Sequence, residues 1–141
     1  MVGLPDLGEF EVIRRYFAPL TKANGGSFNL EDDAAILSSD QGCELVVTTD
    51  AIVEGIHFLS NDPPDHVAAK LLRVNLSDLA AMGASPLAYV VSTAWRNDLP
   101  QNWIKAFAEG LRVEQELFAL HLTGGDTVVT KGPLVFSLTA F

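Results

Sequence analysis

The chain has 141 residues, 48% of them hydrophobic and 19% charged, which supplies enough apolar material for the core of one domain. Lys and Arg number 9 against 18 Asp and Glu, a formal charge of -9 whose field argues against nucleic acid or an anionic membrane as partner. Cys43 is the only cysteine, so an intrachain disulfide and a cysteine zinc site are both excluded, and a cytoplasmic location is expected.

The segment Met1 to Glu9 lacks a basic region followed by an apolar one, and no stretch approaches the roughly 18 apolar residues of a membrane span. Phe10, Ile13 and Phe17 recur at helical spacing and Pro19 stops the pattern, predicting a helix from about Gly8 to Ala18. Asn24-Gly25-Gly26-Ser27 reads as a flexible loop. Ala34 to Leu37 and Cys43 to Thr48 are short β-prone runs expected to pair as strands, with Asp50 at the exit of the second. Asp65, after Pro63-Pro64, is the expected N-cap of a helix running to about Met82, where Gly83 and Pro86 signal its end. Leu87 to Thr93 reads as a strand and Pro100 as the start of a helix reaching about Leu120. Leu122-Thr123 leads into a glycine turn before Asp126, and Pro133 to Phe141 reads as a last strand. The expected class is α+β (mixed α/β), one sheet with helices packed on one face. The apolar end at Phe141, without a polar tail, suggests a truncated chain.

Four aspartate motifs punctuate this order: Glu31-Asp32-Asp33-Ala34-Ala35, Thr48-Thr49-Asp50, Asn75-Leu76-Ser77-Asp78 and Gly124-Gly125-Asp126-Thr127. A carboxylate beside an apolar run is costly to desolvate unless a donor or a cation meets it, and Mg²⁺ favours hard oxygen ligands shared with phosphates. Together they look like a magnesium cage, which makes phosphoryl transfer the leading chemistry. Asp32 and Asp33 could instead form a solvated turn after Asn29. Asp50 could instead cap a turn, and Thr49 could either offer an oxygen to metal or be an ordinary strand residue. Asp78 lies near a helix C-terminus, where negative partial charge disfavours a carboxylate without a cation. Gly125 permits a close phosphate approach beside Asp126, although Gly-Gly-Asp also makes plain turns. His57 alone would more often be structural. Trp95, Trp103 and the phenylalanines read as core, and Cys43 as a small buried hydrophobe. No Gly-x-x-x-x-Gly-Lys-Ser/Thr loop and no protein-kinase signature occurs.

These motifs, with Gly8-Glu9-Phe10, Arg15-Tyr16-Phe17, Glu54-Gly55-Ile56-His57-Phe58 and the Lys70 to Ala84 segment, resemble the N-terminal domain of bacterial thiamine-monophosphate kinases, in the aminoimidazole ribonucleotide synthetase-like superfamily. The resemblance implies ATP-dependent phosphorylation of thiamine monophosphate to thiamine diphosphate. It implies Mg²⁺ at Asp33, Thr49, Asp50, Asp78 and Asp126, ATP at Gly125 and Asp126, and thiamine monophosphate at His57. No protein nucleophile or general base is then needed, because an ionised phosphate is the acceptor. Residues 1–141 would be an ATP/Mg-binding and dimerisation domain of a homodimer, lacking the family's C-terminal domain and therefore weak or inactive alone. The chain departs from the family in Glu31, which stands where a glycine usually precedes the paired aspartates and would strain a glycine-like turn. A related ATP-dependent synthetase and a non-catalytic dimerisation module are the alternative readings.

Overall fold

A computed structural model describes residues 8–21 and 25–141. The N-terminal helical segment forms where expected but winds unevenly, with α1 over Glu9–Val12, a wider π-helical stretch over Ile13–Phe17 and a tighter 3-10 turn over Ala18–Thr21. The wide turn resets the buried stripe to Val12, Phe17 and Leu20, and leaves Phe10 80% exposed. Asn24 lies outside the described residues. From Gly25 to Leu30 the chain makes 3-10 turns in place of the expected loop, with Phe28, Asn29 and Leu30 at positive φ.

The strand pair expected over residues 34–48 does not form, and β1 starts only at Thr48, running Thr48–Val53. Ile36, Leu45 and Val47 are exposed, and Cys43 is exposed rather than buried. Their β-propensity reflects fit to a half-buried pleated surface; Val46 packs partly against the core and the Ile36 amide donates to the Gly26 carbonyl, but among the described residues no strand pairs with this segment. Asp50 consequently sits inside β1, opposite Leu138, and not at a strand exit.

Helix α2 spans Pro64–Ala81. Pro63 takes the N-cap position in place of Asp65, and Pro64 supplies the fixed φ suited to a first turn. Its far end closes as expected, with Gly83 at φ 70 and the Ala84 amide donating to the Leu79 carbonyl. Strand β2 covers Ala88–Arg96, α3 covers Gln101–Leu117, β3 covers His121–Thr130 and β4 covers Val135–Ala140. The glycine turn expected before Asp126 is instead continuous strand: Gly124 and Gly125 lie within β3, opposite Val90 and Val91, just beyond a register shift at Tyr89/Val90. Glycine there answers a close strand approach rather than a chain reversal.

The sheet order is β1-β4-β2-β3, with β2 and β3 parallel across the α3 crossover and the other pairs antiparallel. Helices α2 and α3 cover one face, giving the α+β architecture expected. They cross so closely that a Cβ on Gly110 would come within 2.7 Å of the Asp65 Cα. Between helices and sheet, Trp95, Phe107 and Phe136 are fully buried, and Phe107 stacks on Phe136 at 4.6 Å between centroids. Trp103 packs partly buried against them, as expected, but Phe10, Phe28 and Phe118 are exposed, so the expectation that the phenylalanines are core holds only in part. The other face carries Thr49, Ala51, Val90, Ser92, Val135, Ser137, Thr139 and Asp126, mostly small or β-branched side chains under no helix. Among the described residues no helix is long and apolar enough to cross a membrane.

Candidate functional site: two acidic edges of one sheet

A cavity of about 260 Å³ opens between β2, β3 and the N-terminal segment, lined by Asp33, Asp32, Thr93, Gly125, Asp126 and Thr127 among others. Asp33 and Asp126, far apart in sequence, thus meet at one concave surface. The Asp32 Oδ1 accepts from the Asp33 amide at 3.0 Å, so Asp32 closes its own turn and Asp33 keeps its carboxylate for the cavity. Asp126 Oδ1 accepts from the Thr127 amide at 2.9 Å, and the Thr93 hydroxyl lies 3.2 Å from that of Thr127 and donates to the Asp126 carbonyl. Gly125 is fixed by sterics, because a Cβ there would lie 2.0 Å from the Val91 carbonyl oxygen. Glu31 is exposed at negative φ and donates its amide to the Phe28 carbonyl. The strain expected at Glu31 is carried by Phe28, Asn29 and Leu30, since those residues make the tight turn.

The other acidic group lies at the opposite edge of the sheet. The Thr48 hydroxyl donates to Asp78 Oδ2 at 2.9 Å, tying β1 to the last turn of α2. Strand alternation puts Asp50 on the same helix-covered face as Thr48. Asp78 is exposed, whereas Asn75 one turn earlier is fully buried, so the two do not share an environment. Thr49 points to the uncovered face, where its hydroxyl donates to the Leu138 carbonyl at 3.1 Å and accepts from Thr139 at 3.0 Å. Thr48 belongs to the Thr48-Thr49-Asp50 motif but is not among the site residues expected from sequence; its place on the same strand face as Asp50 could have marked it.

His57 occupies the turn after β1, where its Nδ1 accepts from the Val53 amide at 3.1 Å and its own amide donates to the Val53 carbonyl at 2.8 Å. Glu54 roots the same turn. Burial alone would raise its pKa, but bonds from Arg96, the Leu134 amide and Ser60 outweigh that and hold the carboxyl below its ordinary 4.5.

The four motifs do not close into one cage. Asp50 and Gly125 lie in one transverse row through Leu138 and Val91, three strand spacings or about 14 Å apart. Among the described residues no three His, Cys, Asp or Glu side chains are grouped closely enough to hold a metal ion. The donor chemistry still suits Mg²⁺, which commonly takes one or two carboxylates and completes its octahedron with water and phosphate oxygen.

Residues 31–141 match the family described as AIR synthase related protein, N-terminal domain. The chain belongs to that family. It is 47% identical over 131 residues to the thiamine-monophosphate kinase of Caulobacter vibrioides, a match covering 93% of this chain and 37% of that protein. The crystal structure of the thiamine-monophosphate kinase from Stenotrophomonas maltophilia K279a aligns with a TM-score of 0.71 at 39% identity, over 78% of this chain and 34% of that one. AaThiL complexed with AMPPCP and TMP aligns with a TM-score of 0.65 at 29% identity, over 67% of this chain and 30% of that one. The sequence resemblance to thiamine-monophosphate kinases therefore holds, and with it the superfamily fold, while the chain spans about two fifths of the length of these curated relatives.

Proposed function

We propose that the chain is the N-terminal, ATP- and Mg²⁺-binding domain of an enzyme that phosphorylates thiamine monophosphate to thiamine diphosphate. The observation that carries this reading is the meeting of Asp33, Gly125 and Asp126 around one cavity, in a chain similar to thiamine-monophosphate kinases over nearly all its length. Gly125 lets a polyphosphate approach the β3 backbone without a side chain between them, and Asp33 and Asp126 are the carboxylates to hold its cations. Thr48, Asp50 and Asp78, with His57 farther along the same edge, serve the acceptor side; Thr49 offers its oxygen from the uncovered face. Bound Mg²⁺ would screen phosphate charge that a chain of -9 otherwise repels, and stabilise the charge of the transferring group.

The two edges are farther apart than one ion bridges, so the reading requires polyphosphate, a second copy of the chain or further protein to close the gap. A homodimer through the uncovered sheet face fits the small and β-branched side chains there. A cytoplasmic location accords with the metabolite substrates. The deciding experiment follows thiamine diphosphate formation by the full-length protein from thiamine monophosphate, ATP and Mg²⁺. Magnesium-dependent product is expected, and its absence with a folded, nucleotide-binding protein would overturn the assignment. Sedimentation at tens of micromolar should report a dimer, and a strict monomer would remove the sheet-face interface.

A further inference from the structure

The turn carrying His57 is held at two ends by different chemistry. At its root, Glu54 is 9% exposed and accepts from Arg96 and from the Leu134 amide, which secures the start of the turn whatever happens beyond it. At its tip, Gly55 sits at φ 80, and Ile56 and Leu59 are 76% and 61% exposed, so little apolar burial fixes the tip besides Phe58 against Phe136. The polar tie between His57 and α2 is Lys70, whose ammonium donates to the His57 carbonyl. The Arg side chains of α2 and α3 are neutralised by carboxylates, Arg73 by Glu114 and Arg112 by Glu109 and Glu116. The Lys70 bond to His57 is instead made to an uncharged carbonyl.

The turn is closed by its own backbone, the Ile56 and His57 amides donating to the Val53 carbonyl and the Gly55 amide to the Phe58 carbonyl, and Lys70 ties that closed turn to α2. With the turn drawn against α2, the Val53 amide donates to His57 Nδ1, so Nδ1 carries no proton and the neutral ring holds its proton on Nε2. His57 then presents an N–H donor at an exposed position, suited to a phosphate or other anionic acceptor. We propose that Lys70 is a positioning residue for His57: its bond to the His57 carbonyl braces the backbone-closed turn against α2 and so holds the imidazole as an Nε2–H donor toward an anionic substrate. The inference rests on the proposed reading of His57 as a contact to thiamine monophosphate, and extends it to a residue of α2.

The test uses the full-length protein with Lys70→Met and Lys70→Arg. In ¹⁵N-histidine spectra at alkaline pH, with the His57 signals assigned through His57→Asn, the wild-type ring should be the Nε2–H tautomer. Lys70→Met should shift it toward a mixture of tautomers, and Lys70→Arg should restore it. In parallel, Lys70→Met should raise KM for thiamine monophosphate about tenfold while KM for ATP stays unchanged, with Lys70→Arg recovering most of the loss. An unaltered His57 tautomer in folded Lys70→Met protein overturns the proposal, as does an equal rise in both KM values. If the wild-type protein makes no thiamine diphosphate, the functional reading fails separately, and the imidazole spectra alone decide the role of Lys70.

Discussion

Gly125 approaches Val91 so closely that a Cβ built on it would lie 2.0 Å from the Val91 carbonyl oxygen, whereas one built on neighbouring Gly124 would rest 3.5 Å from a Val90 methyl. The first distance is a backbone clash that no rotamer relieves, and the second is ordinary contact. Gly125→Ala must push β3 away from β2 at the wall of the cavity. It should cost about 3 kcal/mol of stability, with loss of nucleotide binding, while Gly124→Ala costs less than about 1 kcal/mol. Urea midpoints of the two variants check this, and equal midpoints would mean that β3 tolerates a side chain at both positions.

Ala119 terminates α3 at φ 55, with the Leu120 amide donating to the Gln115 carbonyl in the bonding of a helix end that normally uses glycine. A left-handed conformation costs a Cβ-bearing residue roughly 1–2 kcal/mol, of which glycine's greater unfolded-state freedom takes back part. Ala119→Gly should therefore stabilise by about 0.5–1 kcal/mol, read as a rise in thermal midpoint. A fall would show that the Ala119 methyl packs usefully.

Acid should weaken the fold in two stages. His121 is half-buried, and burial lowers its pKa from the ordinary 6.5. A lowered folded pKa means stability present above 6.5 and lost as pH falls through the folded value, because the unfolded chain takes up the proton first. Glu54 follows the same sign from a lower start, its contribution being present above 4.5 and lost below. His121→Gln should flatten the upper stage and Glu54→Gln the lower one in a series of denaturant midpoints against pH. Identical acid limbs in both variants would place the loss in other groups.

The long elements were legible because their signals were redundant. Helix α2 had a start signal in Pro63-Pro64-Asp65 and a stop signal in Gly83 and Pro86, and β4 lay in a β-prone apolar run after Pro133. Residues 34–47 misled because a β-prone run is a strand only where a partner strand lies beside it, and partnership is not encoded in the run itself. Gly124-Gly125 misled for a related reason: a double glycine marks either a turn or a close strand contact, and only the position of Val91 decides. Asp33, Asp50, Asp78 and Asp126 were recognisable as a set from their motifs. Their division between two sheet edges followed from the strand order β1-β4-β2-β3, which no local pattern carries.

Asp78 tests that division most directly. It lies in the last turn of α2, where the helix dipole disfavours a carboxylate, and the Thr48 hydroxyl is the protein donor that meets it. Asp78→Asn keeps the shape, retains an acceptor for Thr48 and removes the charge. The metal-free protein should lose no stability and gain up to a few tenths of a kcal/mol. Thiamine diphosphate formation by the full-length variant at saturating Mg²⁺ should fall at least about a hundredfold, as expected for loss of a charge that anchors a catalytic cation. Thr48→Val separates the two roles, since it removes the hydrogen bond and leaves the carboxylate; it should reduce turnover far less. If Asp78→Asn instead unfolds the metal-free protein while its folded fraction turns over normally, Asp78 is a structural acid pinning β1 to α2, and the acceptor edge must be sought elsewhere.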